Sequence, residues 1–333
     1  MSTDVPQKIP YKQILVTGGA GFIGSHLAER LLTDSVEVIG LDNFDEYYDP
    51  QIKRQNIAFA LGQENYRFVE GDIRDSDQLN HLFARSSIEA VIHLAARPGV
   101  RPSLKQPGLY EQINVQGTLN VLEMAQRYGA GKVLFASSSS VYGEVNSQPS
   151  KESDPVDRPQ SVYAATKRAG ELMAATYHEL YDISVGCLRL FTVYGPRQRP
   201  EMAVHKFVRL IEGGEDVPLY GDGSSERDYT YIDDIIDGIV AALKVTFGFE
   251  IFNLGNSRPI PLERLVQIIE EHLSRRARRR SLPRQVGDVQ RTCAQIEKAR
   301  RMLGYQPRVP IEEGVALFVR WYRERNRIGS SNG

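Results

Sequence analysis

Cysteine is scarce in this chain, which contains only Cys187 and Cys293 among its 333 residues. Two cysteines cannot build a disulfide framework, so we expect the protein to work in a reducing compartment, the cytoplasm. Long apolar stretches are also missing, because no run reaches the roughly 18 residues that a membrane-spanning helix needs. The first thirteen residues are polar, contain two prolines and lack the apolar core of a signal peptide. The sequence therefore predicts a soluble protein that does not enter the membrane.

An excess of charge of either sign is absent as well. Lysine and arginine number 41 and aspartate and glutamate 42, so no net field would steer the chain towards nucleic acid or an anionic membrane. The one basic run, Arg275–Arg280, has no interleaved aromatic residues, and we predict a solvated loop or helix end there. The six histidines show no metal-ligand spacing, so we expect no metal site and predict that His93 is a packed core residue.

What the chain does have is a regular alternation of short apolar segments and helical patterns. The pattern predicts helices near 24–32, 51–61, 75–85, 107–128 and 161–181, and strands at Gln13–Thr17, Val36–Leu41, Tyr66–Val69, Ala90–Leu94, Lys132–Ala136 and Val185–Leu190. Continuous apolar strands between helices are typical of a parallel sheet that is buried on both faces. We therefore predict an α/β fold with a Rossmann-type doubly wound parallel sheet.

The alternation becomes irregular after about residue 192. A strand is predicted at Val217–Tyr220, and helices are predicted near 202–213, 233–245, 261–273 and 311–326. We predict a dinucleotide-binding domain over residues 12–192 and a smaller, mainly substrate-binding portion over 193–328, from which later segments can return to the first domain.

A glycine-rich segment follows the first strand and opens the first helix. Gly18, Gly21 and Gly24 have the G-x-x-G-x-x-G spacing, which lets the backbone approach a pyrophosphate held by free N–H groups at the helix N-terminus. Glycine-rich turns alone are common, but here the next strand ends near Asp42, whose carboxylate would accept hydrogen bonds from an adenosine ribose. A carboxylate at this point would repel a 2′-phosphate, so we expect NAD rather than NADP.

Two further segments carry candidate catalytic groups. Tyr163 and Lys167 lie four residues apart and therefore share one face of a predicted helix. The lysine charge can lower the pKa of the tyrosine, which makes it a usable base near neutral pH. A serine cluster, Ser137–Ser140, follows the end of a strand and can orient a substrate oxygen. Each piece alone is also typical of an amphipathic helix or a turn, and only their combination with the glycine motif is specific.

These segments together resemble the extended short-chain dehydrogenase/reductases of the sugar-nucleotide epimerase and dehydratase group, over residues 12–325. The resemblance also rests on Gly71–Ile73, His93–Ala96, Leu188–Pro196 and Arg227–Asp234. It implies that Tyr163 is the catalytic acid and base, that Lys167 also binds the nicotinamide ribose, and that Ser138 is the catalytic serine. It further implies a set of cofactor contacts besides the glycines and Asp42, namely Phe22, Ile23, Asn43, Asp72, Ile73, Leu94, Ala95, Ala96, Asn114, Tyr163, Lys167 and Phe191. Asn114 would in addition support the active-site helix.

The positions after Ser138 indicate the branch of this group. Dehydratases usually have an acidic pair there and UDP-glucuronate decarboxylases a glutamate, whereas this chain has Ser139 and Ser140. A reaction that needs only hydride transfer and proton transfer at O4 is therefore favoured. Three segments, Asp42–Pro50, Pro98–Arg101 and Phe191–Ala203, resemble UDP-glucuronate 4-epimerases, which interconvert UDP-glucuronate and UDP-galacturonate.

The same resemblance implies the substrate contacts. Ser138, Ser139, Ser140 and Thr192 would surround the sugar carboxylate, while Arg101 and Arg199 would close over it or over the diphosphate. Arg227 and Asp288 would contact the uridine diphosphate, although Cys293–Gln295 nearby departs from the Ala-Asp of many relatives. For both Arg101 and Arg199, the alternative is a charge on a surface loop. Relatives commonly form homodimers through the helices near 107–128 and 161–181, and we expect the same here.

Several alternatives stay open at this point. Within the enzymes, the chain could be a UDP-glucose 4-epimerase, a UDP-glucuronate decarboxylase, or an alcohol dehydrogenase that exchanges free NADH. Outside them, it could be an inactive NAD-binding regulatory protein. The presence of Ser138, Tyr163 and Lys167 argues against the regulatory protein.

Overall fold

The computed structural model describes residues 8–144, 149–283, 285 and 287–330. Its strands are β1 (Gln13–Thr17), β2 (Glu37–Asp42), β3 (Tyr66–Glu70), β4 (Ala90–His93), β5 (Lys132–Ser138), β6 (Ser184–Leu190), β7 (Thr192–Tyr194), β8 (Asp216–Tyr220), β9 (Glu226–Tyr231), β10 (Phe249–Leu254), β11 (Pro259–Pro261) and β12 (Arg278–Leu282). Its α-helices are α1 (Phe22–Thr33), α2 (Pro50–Asn56), α3 (Ser76–Ala84), α4 (Val100–Lys105), α5 (Pro107–Glu111), α6 (Gly117–Arg127), α7 (Val162–Tyr181), α8 (Ala203–Glu212), α9 (Ile232–Lys244), α10 (Leu262–Leu273), α11 (Glu297–Leu303) and α12 (Ile311–Ser330).

A seven-stranded parallel sheet lies at the centre, with the strand order β10-β6-β5-β4-β1-β2-β3. Successive residues of β1 belong to different cores, since Ile14 and Val16 pack on one side of the sheet and Leu15 on the other. Both faces are therefore buried, and the predicted doubly wound α/β fold is confirmed. The strand order reverses next to β1, which opens a crevice at the carboxyl ends of β1 and β4, where such folds bind ligands.

The prediction of the first six strands is confirmed to within two residues at their ends, because each contains a short run of apolar residues. The short strands after residue 192 were not predicted, apart from β8. One of them, β10, pairs with β6 and completes the central sheet. The C-terminal part thus contributes one strand to the central sheet as well as the strands of the smaller sheets. The division into 12–192 and 193–328 stays a prediction.

The interpretation of Arg275–Arg280 as a loop or helix end was wrong for its second half. Arg278–Arg280 are exposed but belong to β12, which pairs in parallel with β8. Acidic partners compensate their charge, since Arg278 lies 3.2 Å from Asp216 and Arg279 2.9 Å from Glu263. Charge repulsion within the run is thereby offset, and a two-stranded edge can form.

The helix predicted over 107–128 is interrupted. Between α5 and α6 the chain forms one π-helical turn, Gln112–Gln116. Such turns occur mostly where a side chain has to be placed for function, and this one contains the buried Asn114. Two smaller sheets, β11-β9-β7 and β12-β8, lie outside the central sheet. In the described part of the chain, no helix combines the length and the apolar character needed to cross a membrane.

Candidate active site

The glycine segment forms a tight turn between β1 and α1. Gly18 has φ +70, and a Cβ atom there would lie 2.8 Å from the main-chain nitrogen of Ala95. A Cβ atom at Gly24 would lie 2.2 Å from the carbonyl oxygen of Gly18. Helix α1 begins without a side-chain cap, so its first N–H groups are left for an anionic ligand. The segment therefore has the geometry of a pyrophosphate site.

Asp42 ends β2 beside this turn and is buried. Its carboxylate accepts hydrogen bonds from the main-chain nitrogens of Ala20 and Phe44, at 3.3 and 2.9 Å. The ammonium of Lys53 lies 3.3 Å from the same carboxylate. The sequence analysis gave Lys53 no role. It lies eleven residues after Asp42, on helix α2, and the sequence does not indicate that the two side chains meet.

Asp72 follows β3, which pairs with β2, so it lies on the same side of the cavity as Asp42 and is also a hydrogen-bond acceptor. Burial alone would raise its pKa, but hydrogen bonds from Arg74 and from the amide of Asn43 lower the pKa of Asp72 to about 2. Asn43 donates its bond at 2.8 Å. Two carboxylates at the ends of neighbouring segments are suited to the hydroxyl groups of a nucleoside.

One cavity of about 420 Å³ joins the cofactor residues to the catalytic residues. Nearly all predicted cofactor and catalytic residues line it, and so do four predicted substrate residues: Gly18, Gly21, Phe22, Ile23, Gly24, Asp42, Asn43, Asp72, Ile73, Leu94, Ala95, Ala96, Phe191, Ser138, Tyr163, Lys167, Ser139, Ser140, Thr192 and Arg199. Asn114 is not among the lining residues, so a direct contact between Asn114 and the cofactor is not what the structure indicates.

Asn114 instead joins two segments behind the cavity. Its amide oxygen accepts a hydrogen bond from the main-chain nitrogen of Arg97 at 2.7 Å, and its amide nitrogen donates to the carbonyl of Arg97 at 3.1 Å and to Thr166 at 3.0 Å. Thr166 lies on α7, three residues after Tyr163. The other part of the prediction for Asn114, support of the active-site helix, agrees with these contacts.

His93 is a core residue, as predicted, and it links the glycine turn to α6. Thr118 donates to the carbonyl of Asn114 at 2.6 Å, so its oxygen accepts from Nε2 of His93 at 3.0 Å. Nδ1 is then the acceptor for the hydroxyl of Thr17 at 2.7 Å. Burial lowers the pKa of His93 to about 3, in line with a neutral ring.

Tyr163 and Lys167 lie in the first turns of α7, which begins at the side-chain cap Ser161. The ammonium of Lys167 donates to the carbonyl of Ala136 at 2.7 Å, and burial lowers the pKa of Lys167 to about 7. The pKa of Tyr163 is raised, because burial outweighs its hydrogen bond with Ser138 and the positive charge of Arg199. The expected lowering of the tyrosine pKa by Lys167 is not found, since the lysine is buried and engaged with the backbone.

The serine cluster turns sharply after β5. Ser138 is nine-tenths buried and accepts a hydrogen bond from the main-chain nitrogen of Ser140 at 3.1 Å. Its hydroxyl also lies 3.1 Å from the hydroxyl of Ser140. This contact starts a 3-10 turn over Ser139–Tyr142, which places three serine side chains on the wall of the cavity.

A second cavity of about 510 Å³ adjoins the first, and Thr192 lines both. Its walls include Arg101, Arg227 and Asp288. Arg101 lies 2.5 Å from Asp288, so two residues that were predicted separately are ion-pair partners. The guanidinium of Arg227 donates to the carbonyl of Gln290 at 3.3 Å and supports the segment that carries Asp288.

Arg101 and Arg199, which were expected to close over the sugar carboxylate or the diphosphate, line different cavities. Arg199 lines the first cavity, is about four-fifths buried and lies 2.9 Å from Glu201. Burial of this kind excludes the alternative of a surface charge for Arg199. Arg101 is more exposed, and its guanidinium lies 4.7 Å from the ring centre of Tyr220.

The sequence analysis missed a cluster at the mouth of the first cavity. The ring of Tyr47 lies between two guanidinium groups, at 5.2 Å from Arg97 and 5.7 Å from Arg199. Arg97 also forms an ion pair of 2.7 Å with Asp45. The resemblance of Asp42–Pro50 was noted, but these contacts join segments about 50 and 150 residues apart, which sequence periodicity does not reveal. Among the residues that the structure describes, no group of acidic, histidine and cysteine side chains could hold a metal ion.

The fold and the two cavities define a class of protein, the NAD dependent epimerase/dehydratase family. The model of this family matches residues 14–255, and the chain belongs to it. Its cofactor is NAD, as the sequence predicted, and the open glycine turn, the uncapped start of α1 and the carboxylate of Asp42 fit this cofactor.

Particular members of the family are similar over nearly the whole chain. UDP-glucuronate 4-epimerase from Thermodesulfobacterium geofontis is 42% identical over 311 residues, which are 93% of this chain and 96% of the relative. The crystal structure of UDP-glucuronic acid 4-epimerase from Bacillus cereus, in complex with UDP-glucuronic acid and NAD, matches with a TM-score of 0.89 and 36% identity, over 94% of this chain and 99% of that one. UDP-glucose 4-epimerase from Thermotoga maritima, solved with UDP-glucose, matches with a TM-score of 0.88 and 32% identity, over 94% and 99% of the two chains.

Proposed function

We propose that this chain is a UDP-glucuronate 4-epimerase, which interconverts UDP-glucuronate and UDP-galacturonate. The observation that carries the proposal is the composition of the wall around Tyr163. Ser138, Ser139, Thr192 and Arg199 line the same cavity as the tyrosine, and they provide hydroxyl donors and one cation for a carboxylate. The similarity to UDP-glucuronate 4-epimerases over more than nine-tenths of the chain supports the same assignment.

The residues of the cavity divide the chemistry between them. When bound, NAD supplies the hydride acceptor for C4 of the sugar and later the hydride that returns to it. Tyr163 takes the proton of the 4-hydroxyl and gives it back after the sugar has turned. Ser138 would hold the same oxygen, since it lines the same cavity as Tyr163. Lys167 holds the nicotinamide ribose. When the lysine is protonated, it places a positive charge one helical turn from Tyr163.

The absence of a carboxylate after Ser138 limits the reaction. Ser139 and Ser140 occupy the positions where a dehydratase or a decarboxylase needs an acid or base, and both line the cavity. The oxidised sugar is a β-keto acid, which loses carbon dioxide when the carboxyl bond aligns with the carbonyl π system. Hydroxyl groups that hold the carboxylate from several sides fix a rotamer in which this alignment is avoided.

The second cavity would hold the uridine diphosphate. Arg101 and Arg227 supply positive charge there, and the ring of Tyr220 offers an apolar surface. Asp288 would leave its ion pair with Arg101 and accept hydrogen bonds from the nucleotide.

We also propose a homodimer in the reducing environment of the cytoplasm. Helix α7 packs along α6 and exposes Leu172 and Leu180, which lie eight residues apart on one side of the helix and form an apolar strip that faces outwards. Such strips are typical of subunit interfaces. Both cysteines are buried and form no disulfide, which supports a reducing compartment.

The test is proton NMR of the purified protein with UDP-glucuronate and no added NAD. We expect UDP-galacturonate to appear, which requires the tightly retained cofactor as well as the epimerase activity. Formation of a UDP-pentose would instead assign a decarboxylase. Activity on UDP-glucose without activity on UDP-glucuronate would assign a UDP-glucose 4-epimerase and contradict the role given to the serines and Arg199.

A further inference from the structure

Helix α7 touches the end of β5 at regular intervals. Tyr163, Lys167 and Glu171 are spaced by four residues and therefore lie on one face of the helix. Lys167 donates to the carbonyl of Ala136 at 2.7 Å, and Glu171 accepts from the hydroxyl of Ser137 at 2.6 Å. Two successive turns of the helix thus hold two successive residues of the strand, and Tyr163, one turn earlier, lines the same cavity as the next serine, Ser138.

Glu171 is the deepest of these groups, and its side chain is completely buried. Arg189 on β6 binds both of its carboxylate oxygens, at 2.8 and 2.9 Å, and Arg168 adds a third contact at 3.1 Å. Burial acts to raise the pKa of Glu171, but the bonds from Arg189, Ser137 and Arg168 lower it. The carboxylate is therefore ionised, and all its partners hold it in one position.

We propose that Glu171 is a positioning residue of the epimerase reaction, which fixes the strand end under Ser138 and places a permanent negative charge one helical turn from Lys167. The inference rests on the roles proposed above for Ser138, Tyr163 and Lys167. Glu171 itself touches neither the cavity nor the reacting atoms, since it does not line the cavity in the described structure.

The position of the strand end matters because Ser137 is the covalent neighbour of the catalytic serine. A hydroxyl fixed at 2.6 Å to an immobile carboxylate sets the backbone direction at residue 137 and hence the place of Oγ in Ser138. Hydrogen bonds to a charged acceptor are about twice as strong as neutral ones, so this contact is a firm anchor.

The charge matters because Lys167 is close to losing its proton. Burial lowers the pKa of Lys167 to about 7, and the charge of Glu171 is what acts against this lowering. The other groups around Lys167 stabilise its positive charge less than Glu171 does, since His93 on β4 is neutral and the ring of Phe135 lies 4.9 Å away. Arg189 on β6 neutralises part of the glutamate charge, because it binds both carboxylate oxygens of Glu171.

If Glu171 only held the helix against the sheet, its loss would not change the protonation of Lys167. The structural role and the positioning role can therefore be separated in the NAD-bound protein. Lysine labelled with carbon-13 at the ε carbon reports the protonation of each ammonium by NMR, and the Lys167 signal is identified by its loss in Lys167→Met. We expect Glu171→Gln to move the titration midpoint of Lys167 down by about one pH unit. An unchanged midpoint would overturn the proposal. No substrate is needed, so this result is independent of the proposed function.

The control for the loss of a buried polar contact is Lys132→Met. Lys132 lies at the opposite end of β5 and is as deeply buried, with hydrogen bonds to the carbonyls of Ala242 and Val245. We expect this variant to lose thermal stability like Glu171→Gln but to leave the Lys167 midpoint unchanged.

A gentler variant covers the case in which Glu171→Gln does not fold. Ser137→Ala removes only the anchor and leaves the ion pair of Glu171 and Arg189 in place. We expect kcat with UDP-glucuronate to fall about tenfold with little change in KM, and Ser137→Thr to restore most of it because it keeps the hydroxyl. Equal activity of the alanine and threonine variants would contradict the positioning role.

Discussion

The ammonium of Lys167 donates a hydrogen bond to the carbonyl of Ala136 at 2.7 Å. This bond uses one of three N–H groups and fixes the lysine between the strand end and the cofactor cavity. The backbone of β5 therefore orients the lysine side chain. Its chemistry with Tyr163 leads to the first prediction.

Tyr163→Phe is expected to lower kcat with UDP-glucuronate by about 10² to 10⁴ fold, because the proton of the 4-hydroxyl then has no acceptor. The aromatic ring stays in place, so we expect the purified variant to retain NAD. Turnover is measured by NMR and the cofactor by release on denaturation. The matched control is Tyr128→Phe, which removes an exposed hydroxyl that bonds with Asn80. Activity close to wild type in Tyr163→Phe would contradict the assigned base.

Asp42→Ser is expected to reduce the preference for NAD over NADP by about tenfold or more, which corresponds to about 1.4 kcal/mol. The variant loses the carboxylate that repels a 2′-phosphate, and it leaves the buried ammonium of Lys53 without its partner at 3.3 Å. Calorimetric titration of cofactor-free protein measures both affinities. Asp42→Glu keeps the negative charge and should keep the preference. A preference unchanged in Asp42→Ser would argue against the ribose contact.

Thr192→Ala and Ser139→Ala are each expected to increase the share of decarboxylated product from UDP-glucuronate. Both hydroxyls line the cavity of Tyr163, and loss of either would let the carboxylate rotate into alignment with the 4-keto group. NMR of the product mixture measures the share of UDP-pentose. Ser184→Ala is the control, because its hydroxyl bonds with the carbonyl of Phe247, away from the cavity. If neither variant raises the by-product, the proposed hold on the carboxylate is wrong.

Acid is expected to destabilise the protein through His93. The pKa of this histidine is about 3 in the folded chain and about 6.5 when unfolded, so only the unfolded state binds its proton between these values. Stability should therefore fall as the pH drops from 6.5 towards 3. Urea unfolding at several pH values measures this slope, which should be shallower in His93→Gln. His81→Gln removes an exposed histidine and serves as the control. Equal slopes in His93→Gln and the wild type would contradict the neutral ring.

Leu180→Glu is expected to convert the proposed dimer into a monomer. The side chain is about two-thirds exposed in the single chain and lies on the apolar strip of α7. A charge in a buried interface is costly to desolvate, so association should weaken strongly. Light scattering after size-exclusion chromatography measures the mass. Phe59→Glu, at another exposed apolar position, is the control and should leave the mass unchanged. A monomeric wild type would contradict the proposed dimer.

The parts of the fold that were predicted from the sequence all depend on patterns among residues that are close together in the chain. Strand β1, the glycine turn and Asp42 follow one another within about 30 residues, and the spacing of Tyr163 and Lys167 is set by a single helix. Strand β10 was missed because it lies outside the regular alternation and far along the chain from its neighbour β6, so only the assembled sheet explains it.

The same limit applies to the site. The partners Lys53 of Asp42 and Asp45 of Arg97 join different segments, and no periodicity predicts such pairs. Asn114 was placed among the cofactor contacts, whereas the π-helical turn directs its amide to the backbone of Arg97. Sequence reasoning thus found many residues of the cavity, but it missed Tyr47 and Arg97 on the cavity wall and did not find which residues hold the wall in place.

Thr192 forms part of the wall of both cavities, and this common wall has a consequence for how the sugar turns. On the proposed function, the nucleotide is clamped on one side of Thr192 and the hexose is free to move on the other. The oxidised ring can then rotate about the bonds of the diphosphate linkage and present its second face. Because the anchor is the same for both epimers, the same contacts can bind and release either of them, and the reaction can run in both directions through one site.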